Sequence, residues 1–121
     1  MTIQNFIDQM IRYFPMIEKE KKEHFEEYGK MLDTLFVEDV IMPKVIDLIK
    51  KDSEKEKLQN IFDYFEDVSN NADEYLLNVF SVTTLEILGN EAEVLKKSKQ
   101  YMGSVTAKLQ READLDLGRN V

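Results

Sequence analysis

Leu58-Gln59-Asn60-Ile61-Phe62-Asp63-Tyr64-Phe65-Glu66-Asp67-Val68 is the stretch whose reading decides the fold. Leu58, Ile61, Phe62, Phe65 and Val68 recur at steps of three and four residues, which places them on one face of an α-helix and turns the acids to other faces. A strand would need strict alternation, and no segment alternates cleanly over strand length between turn residues. Upstream, Ser53 followed by Glu56 has the spacing of a capping box, so the spacing predicts a helix starting near Ser53. Downstream, Ser69-Asn70-Asn71 is expected to break it.

The same arithmetic carried outward gives helix after helix. Thr2 is placed to cap a first helix with Ile3, Phe6, Ile7, Met10, Ile11 and Phe14 on one side. Pro15 opens a second, highly charged helix that Gly29 closes. Residues 30–38 read as a short turn of helix or an apolar connector, and Asp39 as the cap of a third helix with Pro43 in its first turn. A fifth helix begins at Asp73-Glu74 and is apolar around much of its circumference, which predicts a central position. Asn90 with Glu93 is the expected cap of a sixth helix, and Gly103-Ser104 of the last. The expected fold is therefore all-α: six or seven short antiparallel helices, in an irregular bundle or a short stack of HEAT-like helical hairpins. Residues 1–114 form one domain in this reading, with a polar tail over 115–121.

Composition narrows the function. At 121 residues the chain has room for one core. Four glycines and two prolines fit long helices better than a turn-dense sandwich. Without cysteine there is no disulfide, thiol nucleophile or thiolate metal site. The net charge of −8 argues against nucleic acid and anionic membrane as partners. Residues 1–8 lack a basic start and an apolar run, and no apolar stretch approaches the ~20 residues of a membrane helix, so a cytoplasmic location is expected.

Groups able to carry chemistry are few. His24 is the chain's one histidine and has Glu20, Glu23, Glu27 and Tyr28 near it along the second helix. Lys21 stands three residues before it, where a di-iron bundle would need Glu. No zinc-protease pair, nucleophile elbow or glycine-rich phosphate loop occurs. No catalytic residue, cofactor or metal ligand is assigned.

Charge distribution says more. From Leu58 to Leu95 there is no Lys or Arg, while Asp63, Glu66, Asp67, Asp73, Glu74, Glu86, Glu91 and Glu93 all fall there. Outside this window acids and bases balance, so it carries the whole net charge. Asp63, Glu66 and Asp67 lie about one turn apart, and Asp73 and Glu74 start the next helix, where acids also suit the positive end of the dipole. Tyr64 lies off the Phe62–Phe65 row among these acids and is the candidate aromatic anchor. Asp63, Tyr64, Glu66, Asp67, Asp73 and Glu74 are thus the expected partner-binding residues.

Phe14-Pro15, Glu23-His24-Phe25-Glu26-Glu27-Tyr28-Gly29, Leu32, Phe36, Val37-Glu38-Asp39-Val40, and the run from Asn78-Val79-Phe80 through Leu85-Glu86-Ile87-Leu88 carry a resemblance. Over residues 14–110 the chain resembles an uncharacterised family of small bacterial all-helical domains, which are similar to the immunity proteins found beside polymorphic toxins. Thr34 stands where a second His would be expected from that likeness. The resemblance implies a non-catalytic domain whose partner is a protein, a basic toxin domain being the simplest choice. The alternatives are a general helical adaptor or regulatory domain, and an enzyme using a carboxylate pair.

Overall fold

A computed structural model describes residues 1–119, and those residues form seven helices and no strand. They are α1 (Ile3–Tyr13), α2 (Ile17–Tyr28), α3 (residues 33–51), α4 (Lys55–Asn71), α5 (residues 74–88), α6 (Ala92–Lys99) and α7 (Ser104–Asp116). None is long and apolar enough to cross a membrane. As expected, Thr2 caps α1 in a reciprocal box with Asn5, and α2 ends on Gly29. The row Leu58, Ile61, Phe62, Phe65 and Val68 of α4 is wholly buried.

One helix, α3, is longer than its pattern suggested, and both it and α5, which keeps its expected span, contain a π-turn. In α3 the α-helical segments Asp33–Phe36 and Met42–Lys51 are joined by a π-segment, Val37–Ile41. Asp39 therefore lies inside a helix rather than capping one, and of the two readings of residues 30–38 the helical turn holds over residues 33–36. The wide turn precedes Pro43, which has no N–H to give and would crowd the carbonyl four residues back in a regular ladder. Lys44 Nζ donates to the Val40 carbonyl at 3.0 Å. In α5 the π-segment is Phe80–Leu85, flanked by Glu74–Val79 and Glu86–Leu88. The two π-segments touch, and α5 also packs on α7, which gives it the expected central position.

Three expected caps and one break fall elsewhere. Lys55, not Ser53, begins α4, and neither Ser53 nor Glu56 closes a box, because the chain turns at Asp52 in the left-handed region (φ 47°). There the Asp52 carboxylate accepts from Tyr101 at 2.9 Å and pairs with Lys55 at 3.1 Å. Asn90 does not cap α6, since its side chain accepts from Arg119 instead. Ser104 caps nothing; the start of α7 is capped from another helix. Ser69-Asn70-Asn71 forms the last residues of α4, which ends at Asn71, and each side chain donates back to the carbonyl four residues earlier, at 2.8, 2.8 and 3.2 Å.

One apolar core joins all but the rim of the molecule, with Phe6, Phe36, Phe62, Phe65 and Phe80 fully enclosed. Phe65 meets Phe80 edge-on at 5.4 Å and Phe62 at 5.2 Å. Helices distant in sequence meet, α4 with α7 and α3 with α6, which is the connectivity of a bundle. A hairpin stack would confine contacts to neighbouring repeats. Residues 115–116 belong to α7, and Gly118 (φ 74°) closes it in a Schellman turn, Gly118 N–H to Leu115 O and Arg119 N–H to Asp114 O. The Arg119 guanidinium then folds back onto the buried Asp114 carboxylate at 2.9 Å. Residues 120 and 121 of the expected tail lie outside the described residues.

Candidate protein-binding surface

The acidic window divides once it is folded. Asp63 and Asp67, four residues apart, are both exposed on α4. Asp63 accepts from the Gln59 amide at 2.8 Å, which leaves its second oxygen to solvent. Asp73 and Glu74 are exposed at the start of α5. Asp73 also works locally, its carboxylate accepting from the Leu76 N–H at 2.8 Å.

Glu66 has a different position. Its carboxylate accepts from the N–H groups of Val105 and Thr106 at 3.1 and 2.8 Å, and from the Thr106 hydroxyl at 2.8 Å. It is the N-terminal cap of α7, supplied from α4, and lies off the exposed face. Burial works against its charge, yet the hydrogen bonds from Thr106 and Val105 outweigh burial and hold the carboxyl below its usual range. Gly103 makes room, since a Cβ there would meet the carboxylate carbon at an impossible 2.4 Å. Glu91, also in the window, is neutralised by Lys50 at 3.1 Å.

Tyr64 is half-buried rather than freely displayed. Its ring stacks on Phe6 at 6.1 Å and meets Tyr13 edge-on at 6.3 Å, and its hydroxyl reaches the Met1 sulfur at 3.7 Å. Burial, then the neighbouring Tyr13, Asp67 and Asp8 charges, push its phenol up to about 12. Asp8 is therefore a neighbour of this surface that the sequence window did not contain. Met1 connects its two ends: the Asp73 N–H donates to the Met1 carbonyl at 2.8 Å, and the terminal ammonium donates to Asn71 O at 3.1 Å. Arg12 lines the same recess beside Tyr64, so the base-free stretch of sequence is not a base-free surface.

A second concavity lies between α2 and α3. His24 is 6% exposed and lines it together with Tyr28, Leu35 and Val40. His24 Nε2 accepts from the Leu32 N–H at 3.0 Å, fixing the corner that leads into α3. Its ring packs against Tyr28 at 4.7 Å and Phe36 at 5.2 Å. Among the described residues no three His, Asp or Glu side chains are grouped to hold a metal ion.

These features define a small all-helical domain with an exposed acidic helix pair and a shallow histidine-lined cleft. The chain belongs to the family described as Domain of unknown function (DUF7674), whose model matches residues 7–116. Neither a curated protein nor a solved structure matches it.

Proposed function

We propose that this chain is a non-catalytic protein-binding domain that captures a basic partner on Asp63, Asp67, Asp73 and Glu74, and that it serves as an immunity protein neutralising a bacterial toxin. The observation carrying the reading is that these four carboxylates stay exposed within a 38-residue stretch that holds the entire net charge. Tyr64 contributes an aromatic edge held rigid by Phe6. Glu66 supports the surface from behind by anchoring α7. Toxin domains that act on nucleic acid carry basic grooves, and exposed carboxylates steer such a groove into contact. Resemblance to immunity-type domains supports the finer assignment.

The test is affinity capture from the native cells, identification of the retained protein, and measurement of its association with wild type and with Asp63→Lys/Asp67→Lys. The captured partner is expected to be basic and to arrest growth when expressed without this chain. Its association with the wild type should slow as salt rises. The double variant, which spares Glu66, should associate at least about tenfold more slowly. A partner that arrests nothing would favour the adaptor reading. An unchanged rate for the double variant would remove the acidic surface from binding.

A further inference from the structure

The α2–α3 cleft shares no residue with the acidic surface just described and occupies about 170 Å³. Its floor is apolar, from Leu35 and Val40, with the Tyr28 ring at one side. Four carboxylates line it: Glu20, Glu23, Glu27 and Asp39. Lys44 already neutralises Glu20 at 2.7 Å. Glu23 has only an exposed contact with Lys19 at 4.0 Å, a geometry worth little. Among the described residues no basic side chain lies within ion-pair distance of Glu27 or Asp39.

His24 supplies an independent indication of what the cleft takes. Its side chain is more than nine-tenths buried and lines the cleft. Nε2 is occupied as an acceptor by the Leu32 N–H, so the neutral ring carries its hydrogen on Nδ1. That N–H makes no hydrogen bond among the described residues and is not one of the unpartnered atoms sealed in the core, so it stays accessible from the cleft that His24 lines. A ligand complementary to the cleft therefore brings an extended cation for the rim, an aliphatic stem for the floor and a hydrogen-bond acceptor for His24. A bare metal ion lacks the second and third, and a polyamine lacks the acceptor.

We infer that the α2–α3 cleft is a docking site for an arginine- or lysine-bearing peptide segment of a partner protein. The cationic head group pairs with Glu27 and Asp39, the stem lies on Leu35 and Val40, and a backbone carbonyl of the segment accepts from His24. Tyr28, 42% exposed at the rim, offers its ring face to the same cation. This site stands apart from the Asp63–Glu74 surface, and the two succeed or fail separately.

The probe is an acetylated, amidated Gly-Arg-Gly peptide titrated into the isotope-labelled chain and followed by NMR, with Gly-Gln-Gly as control. His24 is the chain's single histidine, so its ring signals need no deconvolution. Saturable shifts are expected at the His24 ring and the Leu35 and Val40 methyl groups with the arginine peptide alone. Glu27→Gln and Asp39→Asn should each weaken binding about fivefold, the size of one partly exposed charge pair, while far-UV circular dichroism stays unchanged. Equal shifts from the glutamine peptide, indifference to both variants, or shifts confined to residues 58–74 would overturn the proposal. Spermidine binding as tightly as the arginine peptide would overturn the peptide assignment as well.

Discussion

Glu66 shows how one side chain can be an acid by composition and a cap by position. Two backbone N–H groups and a hydroxyl of the α7 start converge on it, and without it those donors would be left beside Gly103 with no side-chain partner. Glu66→Ala is expected to lower unfolding free energy by about 1–2 kcal/mol, measured by urea denaturation, as for the loss of other helix caps. The pH dependence follows in sign from its lowered pKa. Folding favours the charged form, so the stabilisation is present above the unfolded glutamate range near pH 4.3 and is lost as pH falls through the folded value. Urea midpoints measured from about pH 6 down to about pH 3 should fall less steeply for Glu66→Gln than for wild type. Nothing in the local sequence announces this role, because Glu66 and Thr106 are 40 residues apart and meet only through the packing of α4 on α7. Asp8 was hidden for the same reason, being brought beside Tyr64 by the fold alone.

At the scale of the element, legibility tracks the regularity of the hydrogen-bond ladder. The apolar row of α4 was readable because its three- and four-residue steps run unbroken from Leu58 to Val68. The α3 start stayed ambiguous between helical turn and connector, because the π-segment Val37–Ile41 adds a residue to the turn and throws the apolar row out of phase. A reader of periodicity then sees a break where the chain has only widened. The cap at Thr2 was legible because donor and acceptor are neighbours in sequence, and the cap of α7 was not, because its partner comes from another helix. Asp73, read only as an acid suited to the dipole, is a local cap as well. Asp73→Ala removes a local cap and is expected to cost about 1 kcal/mol, read as a shift in the thermal midpoint. Binding of a basic partner should weaken in the same variant, so the stability measurement has to accompany the affinity one.

Across the whole molecule, the last described residue fastens the C-terminal helix to the middle of the chain. Arg119 joins the wholly buried Asp114 of α7 to Asn90, which follows α5, and Gln110 donates both to Asp114 and to the Leu85 carbonyl. Gly89 lies against this knot, where a Cβ would come within 2.4 Å of both Arg119 and Asp114. A buried carboxylate stripped of its cation is costly, so Arg119→Ala should destabilise by about 3 kcal/mol in equilibrium unfolding. Removing both charges together, as Arg119→Met with Asp114→Asn, should recover part of that loss, because no uncompensated charge remains inside.

The wide turn at Phe80–Leu85 also bears on how this chain tolerates changes of length. A π-turn holds one residue more than an α-turn, stored without displacing the helix on either side. Excision of Ser81 would let the turn close to ordinary pitch and keep Leu76, Val79 and Leu88 facing the same neighbours. The same excision inside α4 would rotate everything beyond it by about 100° and expose half its apolar row. Insertions and deletions, usually confined to loops, have here a foothold in the middle of a buried helix.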